Sequence, residues 1–309
     1  MSEIISIILP VILVMALGYG CRRRKIIDEV QLSGIKTISV KFLWPAVLFY
    51  AFFTADYGKE VIIYASVNFT ANLAAFLFGI AMRKRVPDHA FSWPYLMSGF
   101  ETGQIGYPLY GLLFRNQQIS YLALLDVGHA LFIFPIFLGY LQMEQSRERN
   151  LGKSIRDMFT SPIMIALAAG MIFGYSGLGR LVMTSGAGNV IDTLYGLISS
   201  ANTVMILLAM GYGISFTVDQ IRSCMKLILI RAALFAVLAL LGIMFTGWFV
   251  QMNVYLLSAI VITFIMPPVY MLGVYVKEPS ENEFCATTAS IYTLLSILAF
   301  IIMTVILKG

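Results

Sequence analysis

The sequence predicts an all-α membrane protein of ten transmembrane helices, arranged as two inverted five-helix repeats in which helices 4 and 9 are broken. The first observation is composition: 59% of the 309 residues are hydrophobic and 12% are charged, whereas an ordinary soluble domain is about 25% charged. The second is a series of apolar runs of roughly 20 residues, long enough to cross a bilayer. The third is that proline and glycine interrupt one such run in each half of the chain.

Hydrophobic length places the ten spans, and five spans in each half require the two repeats to be inverted relative to each other. The first repeat is predicted over residues 1–141, a cytoplasmic linker over 142–161 and the second repeat over 162–309. The N-terminus lacks the basic region of a cleavable signal peptide, so span 1 is expected to be a retained helix. The predicted spans are 4–21, 35–54, 61–82, 91–114, 119–141, 162–181, 190–213, 226–249, 254–276 and 284–307.

Basic residues orient the chain. Fourteen lysines and arginines follow the odd-numbered spans, beginning with the block Arg22 to Lys25, and four lie on the opposite side. Cytoplasmic loops are enriched in lysine and arginine. The odd-numbered spans are therefore predicted to end in the cytoplasm, with both termini outside and the protein in the cell membrane.

Span 4 has the sequence FSWPYLMSGFETGQIGYPLYGLLF and contains a carboxylate and a carboxamide, Glu101 and Gln104. Pro108 has no N–H, so the carbonyl of Gln104 loses its helical partner and the helix is predicted to break there. Within hydrocarbon, an interrupted helix survives only where protein or a water-filled cavity surrounds it. Such a helix with a carboxylate at its middle predicts a binding site.

Span 9 is predicted to break at Met266, Pro267 and Pro268, in the corresponding position of the second half. Spans 1 and 6 also share a proline and a glycine eight residues apart, Pro10 with Gly18 and Pro162 with Gly170. Matching interruptions in two halves point to a midplane site. The alternative is chance, because prolines are common in membrane helices.

Glu101 lies ten residues into span 4, roughly 15 Å deep at about 1.5 Å per residue. A carboxylate at that depth must be neutralised by a proton or a cation. It is interpreted as a proton- or cation-coupling group, or else as a protonated structural acid.

Span 5 places Asp126 and His129 three residues apart on one face. They form either a proton relay or a structural hydrogen bond between packed helices. Asn68 and Asn72 in span 3, and Ser199, Ser200, Asn202 and Thr203 in span 7, either hold helices together or line a cavity.

Other polar and aromatic residues have simpler interpretations. Lys36, Lys41 and Arg231 are predicted near cytoplasmic helix ends, where their side chains would reach the interface, with attraction of an anion as the alternative. His89 is expected to be solvated in a loop. Trp44 and Trp248 are expected to be interface anchors.

No enzyme, metal or cofactor motif is present among the common ones. The three cysteines, Cys21, Cys224 and Cys285, are far apart and lack metal-ligand spacing. The basic residues stand in short blocks at helix ends, which indicates topology rather than nucleic-acid binding. We therefore predict neither a catalytic set, nor a cofactor, nor a nucleic-acid partner.

Several short patterns in order give the chain a family resemblance. They are P-x₇-G from Pro10, W-P-A in span 2, E-T-G-Q-I-G-Y-P in span 4, L-L-D-V-G-H-A-L in span 5, P-I-M-I-A-L-A-A-G in span 6, P-P-V-Y in span 9 and Y-T-L-L-S in span 10. With these patterns the chain resembles the auxin efflux carrier family of secondary transporters over nearly its whole length.

The resemblance implies a bile-acid-sodium-symporter-like fold in which spans 4 and 9 cross at their breaks. Spans 1, 2, 6 and 7 would form a scaffold, and spans 3–5 and 8–10 a moving bundle. It also implies a small organic anion as solute and a homodimer formed through the scaffold. The chain departs from the family pattern at Glu101, where an asparagine is expected, and at Gln104, where an aromatic is expected. Either Glu101 is protonated when an anion binds, or the solute is not a simple anion.

The predicted function is a permease that moves a small organic solute, of carboxylate type, by alternating access with H⁺ or Na⁺ as coupling ion. The alternatives are a carrier of a neutral or cationic solute, a non-transporting membrane sensor, a channel and, least favoured, a membrane enzyme. The expected partners are the solute, the coupling ion, membrane lipid and a second copy of the chain. The candidate binding residues are Glu101, Thr102, Gln104, Tyr107, Pro108, Asp126, His129, Met266, Pro267, Pro268, Tyr270, Asn68 and Asn72.

Overall fold

Every regular element in the described part of the chain is a helix. The computed structural model describes residues 2–55, 57–58, 60–86, 89–114, 118–145, 160, 162–213, 220–269, 272, 276 and 278–308. Its α-helices are α1 (Ser2–Arg23), α2 (Glu29–Ile38), α3 (Trp44–Phe53), α4 (Val61–Met82), α5 (Trp93–Met97), α6 (Tyr107–Phe114), α7 (Ile119–Phe132), α8 (Gly139–Gln145), α9 (Pro162–Tyr175), α10 (Leu178–Met183), α11 (Gly188–Gly213), α12 (Ile221–Phe249), α13 (Val254–Ile265) and α14 (Pro279–Lys308).

Each of the ten predicted spans contains at least one of these helices. Within the described residues, six helical stretches are long and apolar enough to cross a membrane, namely Glu29–Phe53, Val61–Arg85, Ile119–Leu141, Gly188–Gly213, Ile221–Phe249 and Ser280–Leu307. Met164–Tyr175 and Val254–Ile265 are shorter apolar helices. The all-helical class is therefore confirmed, while ten crossings in two inverted repeats stay a prediction.

Three prolines within helical spans lie in a π-helical turn or two residues after one. The turns are Ser39–Leu43 before Pro45, Thr102–Gly106 before Pro108, and Ile133–Leu138 around Pro135. Proline removes one N–H and its ring presses on the preceding turn. Widening that turn relieves the contact: the N–H of Tyr107 reaches back five residues to the carbonyl of Thr102. The chain therefore stays helical through each proline.

The interruption of span 4 lies earlier than the sequence predicted. α5 ends at Met97, residues Ser98 to Glu101 are not helical, and helix resumes at Thr102. Pro108 lies inside the second half-helix, so the predicted break at that residue is wrong. The break instead contains Gly99, whose φ of +71° is accessible to glycine but strained for other residues.

The interruption of span 9 falls at the predicted residues. α13 ends at Ile265, and Met266 begins an extended segment with φ of −66° and ψ of 148°. Pro267 has no N–H, and a residue before proline is biased toward this extended conformation. The hydroxyl of Ser296 donates to the carbonyl of Ile265 at 2.6 Å, so this helix end is satisfied within the protein.

The helices pack in two groups. α1 lies along α11 and α3 lies along α9, while α4 contacts α5 and α7, and α12 contacts α4, α13 and α14. Glycines allow close approach in both groups: a Cβ on Gly18 would lie 2.1 Å from the carbonyl oxygen of Leu208, and one on Gly128 would lie 1.9 Å from that of Ala65. The grouping brings the two interruptions together at the centre of the second group.

Gly99→Ala should lower the free energy of unfolding by about 1–3 kcal/mol, because the new Cβ is strained at positive φ and crowds the opposite break. That Cβ would lie 2.5 Å from Cγ2 of Val269. The measurement is the thermal unfolding midpoint of the purified protein in detergent.

Gly139→Ala is the matched control, because Gly139 is helical and a Cβ there meets nothing within 4 Å. Similar midpoints for the two variants would contradict the assignment of strain to Gly99.

Candidate functional site

The two helix interruptions meet directly. The N–H of Glu101 donates to the carbonyl of Pro267 at 3.0 Å, one break to the other. Glu101, Met266, Pro267 and Pro268 are all buried. A break in a membrane helix is stable only if its backbone groups find partners inside the protein. The contact between the breaks supplies one of those partners.

Asn72 supplies a second hydrogen-bond partner for the backbone of the break in span 4. Its Oδ1 accepts the N–H of Gly99 at 2.8 Å, while its Nδ2 donates to Oδ1 of Asn68 at 2.8 Å. Nδ2 of Asn68 in turn donates to the carbonyl of Leu125 at 3.0 Å. Both asparagines are 0% exposed. Of the two interpretations, this geometry supports holding helices together rather than lining a cavity.

A chain of hydrogen bonds from α7 supports Phe100, the next residue of the break. The N–H of Phe100 donates to Nε2 of His129 at 3.0 Å. Because Nε2 accepts, the ring proton lies on Nδ1, which faces Oδ1 of Asp126 at 3.0 Å. The hydroxyl of Tyr107 donates to the other oxygen of Asp126 at 3.4 Å. Protonating Nε2 would remove the bond to Phe100, so the arrangement supports a structural role for His129 over a proton relay.

Arg231 does not reach the membrane interface, and that expectation is wrong. Its side chain is 0% exposed, and its guanidinium donates to carbonyls of both breaks: Leu96 at 2.8 Å, Gly99 at 2.7 Å, Ser98 at 3.4 Å and Met266 at 3.4 Å. α12 begins at Ile221, five residues before the predicted start of span 8. Arg231 therefore lies ten residues into its helix rather than near the end.

The half-helix that resumes at Thr102 points its N-terminus at the crossing. Its first hydrogen bonds run from Ile105 and Gly106 to the carbonyl of Glu101. The N–H groups of residues 102–104 precede them, and Glu101 in the cap position makes no side-chain cap bond. Among the described residues, the buried hydroxyl of Thr102 has no hydrogen-bond partner.

Trp44 covers this N-terminus instead of anchoring the protein at the interface. A Cβ on Gly103 would lie 1.8 Å from its indole ring and 2.6 Å from Nε1. That Nε1 is buried and has no partner among the described residues. Trp44 lies midway along the predicted span 2 (35–54), and this depth is the sequence signal that it is not an anchor. Trp248, by contrast, is 76% exposed.

Glu101 is buried at the crossing, with 3% of its surface exposed. It therefore faces protein rather than lipid, in a backbone conformation outside the helical region, with φ of −82° and ψ of 54°. The side chain of Gln104 and all of Tyr270 lie outside the described residues.

A cavity of about 230 Å³ adjoins this half-helix, between α1, α6 and α11. The residues that line it are uncharged, and the sequence had singled out six of them: Pro10, Tyr107, Pro108, Ser199, Ser200 and Thr203. Asn202 faces the other way and accepts a hydrogen bond from the hydroxyl of Ser39 at 2.7 Å. The polar cluster of span 7 thus has one face that lines a cavity and one that joins helices.

The structure agrees with the expectation for two of the remaining residues and corrects it for a third. Lys36 and Lys41 are exposed, as side chains that reach the interface would be. His89 is buried rather than solvated, which corrects that expectation: its ring stacks on Phe284 at 3.8 Å and Nδ1 lies 3.2 Å from Oε1 of Glu281. Pairing between loop and helix residues distant in sequence cannot be read from the loop alone.

Asn72→Leu should lower the free energy of unfolding by about 1–3 kcal/mol, because it leaves the buried N–H of Gly99 without a partner. The measurement is the thermal midpoint of the purified protein. Asn189→Leu is the control, since Asn189 is exposed on α11. Equal midpoints would show that Asn72 does not support the break.

Comparison with known families identifies the family of this chain. The sequence matches the family described as membrane transport protein over residues 3–307. Members of that family are transporters rather than enzymes, which fits the prediction of a non-enzyme. A search of curated proteins found no match. Because the match spans nearly the whole chain, and because the helices are apolar enough to cross a membrane, the chain is a multi-pass membrane protein that belongs to the auxin efflux carrier family of membrane transport proteins.

Proposed function

We propose that this protein is a secondary transporter that moves a small organic solute of carboxylate type across the cell membrane by alternating access. A proton bound by Glu101 travels with the solute. The supporting observation is the half-helix N-terminus at residues 102–104, where N–H groups and two unpartnered side-chain donors converge at the crossing.

A helix N-terminus is suited to a carboxylate because its first N–H groups lack intrahelical partners and its dipole is positive at that end. The hydroxyl of Thr102 and Nε1 of Trp44 add two donors that are buried without a partner among the described residues. A buried donor without a partner costs roughly 1–3 kcal/mol. A bound carboxylate would relieve that cost at both groups.

Glu101 limits when an anion can bind. Two negative charges about 4 Å apart repel by about 4 kcal/mol at the effective dielectric constant of a protein surface. A penalty of that size weakens binding roughly a thousandfold. The solute must therefore arrive with Glu101 protonated, which couples a proton to the solute in the same step.

The cavity supports a solute with an apolar body. Its lining combines hydroxyls of α11 with apolar side chains of α1 and α6, and it has no charged residue among those described. The carboxylate would lie at the N-terminus near Thr102, and the remainder of the solute between α6 and α11. Movement of the second helix group against α1, α3, α9 and α11 would then expose the crossing to alternate sides.

Other features remain part of this proposal. They are both termini outside, a homodimer formed through spans 1, 2, 6 and 7, and the division into repeats at 1–141 and 162–309. Glycine and π-turn positions on both sides of the crossing are compatible with helix groups that move as bodies.

Thr102→Val should remove most of the thermal stabilisation by carboxylates and weaken binding about tenfold, the effect of one hydrogen bond of about 1.4 kcal/mol. The probes are acetate, pyruvate, malate and indole-3-acetate, each compared with its amide and with a matched amine at two pH values. The readout is the shift in unfolding midpoint of the purified protein. A response to amines or amides alone would replace the carboxylate by a cationic or neutral solute.

Thr246→Val is the matched control. Thr246 is also 0% exposed, and its hydroxyl also has no partner among the described residues, but it lies on α12. Neither substitution breaks a protein hydrogen bond and each removes a buried hydroxyl without a partner, so neither variant should have a lower midpoint than the wild type without ligand. Equal loss of the ligand response in both variants would show that the carboxylate does not bind at Thr102.

Glu101→Gln should make uptake independent of pH, because an amide mimics the protonated acid but cannot release the proton. In proteoliposomes, wild-type uptake of the best carboxylate from the panel should rise as the outside pH falls. Wild-type pH dependence in Glu101→Gln would contradict proton coupling at this residue. Counterflow with saturation at low solute concentration would separate a carrier from a channel, and binding without any flux would favour a sensor.

A further inference from the structure

The guanidinium of Arg231 lies at a point where the backbone of both interrupted helices converges. Nη1 donates to the carbonyls of Leu96 and Ser98 at 2.8 and 3.4 Å, and Nη2 donates to those of Gly99 and Met266 at 2.7 and 3.4 Å. These carbonyls come from two segments, Leu96 to Gly99 and Met266, that are far apart in the sequence. The side chain that joins them comes from a third element, α12.

The four carbonyls lie at helix C-termini or directly after them. α5 ends at Met97 and α13 ends at Ile265, so Leu96 and Met266 belong to the last turns or caps of those helices. The last carbonyls of a helix lack intrahelical partners and have a partial negative charge. Converging helix C-termini of this kind are where unwound membrane helices bind cations.

The surroundings of Arg231 favour a cation over a paired ion. No carboxylate within the described residues forms an ion pair with it. Aromatic faces surround the guanidinium instead, with Cζ 4.5 Å from the ring centroid of Phe235, 5.2 Å from Tyr292 and 5.6 Å from Phe100. Carbonyl dipoles and ring faces together stabilise the positive charge.

We propose that Arg231 is a resident cation: it occupies a carbonyl-lined cation site at the crossing, and the protein binds no Na⁺ there. An alkali cation and a guanidinium both satisfy converging carbonyl oxygens, but the guanidinium is attached to α12 and cannot leave. The charge is therefore present in every state of the protein. This inference depends on the proposed function only for its consequence, which is that a transport cycle takes no Na⁺ at this point and leaves proton coupling at Glu101 as the route.

The test is chemical complementation of the purified full-length chain. Arg231→Ala should lower the unfolding midpoint and leave a vacant carbonyl-lined site. Millimolar guanidinium should then raise the midpoint of the variant with saturation, whereas urea, its neutral isostere, should have no effect. Na⁺ titrated against choline should also stabilise Arg231→Ala more than the wild type.

Arg222→Ala is the matched control, because Arg222 is exposed on the same helix and should show no difference between guanidinium and urea. Equal effects of guanidinium and urea on Arg231→Ala, or no effect of either, would overturn the resident cation. Failure of carboxylates to bind would instead affect only the proposed function, since this measurement needs no solute.

If Arg231→Ala does not fold, the pair Arg231→Lys and Arg231→Met decides the question. Lysine retains the charge on a side chain of similar length, and methionine retains the length without the charge. The midpoint of Arg231→Lys should be clearly higher than that of Arg231→Met. An equal or lower midpoint would show that the site holds Arg231 by packing and not by its charge.

Discussion

Unpaired backbone groups at the two helix interruptions are the constraint on which the rest of this structure depends. In a hydrocarbon environment no water is available to them, so each N–H and carbonyl needs a partner inside the protein. The N–H groups of Gly99, Phe100 and Glu101 are bonded by Asn72, His129 and the carbonyl of Pro267. The guanidinium of Arg231 donates hydrogen bonds to the nearby carbonyls of Leu96 and Gly99. Three buried polar residues of the second helix group, Asn72, His129 and Arg231, thus bond to the backbone of the breaks.

The hydrogen-bond partners of the buried polar residues distinguish residues that support the fold from residues that are available to a ligand. Asn68, Asn72, Asp126 and His129 are buried polar residues at membrane depth, which would ordinarily mark a transport pathway. Here their hydrogen bonds lead to the backbone of the break, to the carbonyl of Leu125 on α7, to Tyr107 or to one another. Two of the buried donors without partners among the described residues, Thr102 and Trp44, lie instead together at the N-terminus of the second half-helix. A ligand is best sought where the protein has left its own groups unsatisfied.

The two ends of the crossing are complementary in charge. The C-terminal carbonyls of the first half-helices face a fixed guanidinium, and the N-terminal N–H groups of the second half-helix of span 4 lie beside a buried glutamate. One end is already neutralised by the protein, and the other has a group whose charge a proton can remove. In the proposed transport cycle, the proton and the solute would bind and leave at one end while Arg231 stays in place at the other.

The sequence by itself determined the helical class, the approximate spans, the interruption at Met266 to Pro268 and the special position of Glu101, because hydrophobic length, prolines and an intramembrane acid are local signals. Tertiary structure alone decided the break at Ser98 to Glu101, the burial of Arg231 and the position of Trp44 over the half-helix N-terminus. It also decided which asparagines, serines and histidines join helices and which line the cavity. These depend on which carbonyl or ring lies opposite a given side chain, and those partners come from distant helices. Pro108 shows the difference. A local rule predicts a break there, but a π turn before Pro108 keeps the helix continuous. The helix breaks instead at Gly99, whose N–H bonds to Asn72 and whose Cα faces Val269.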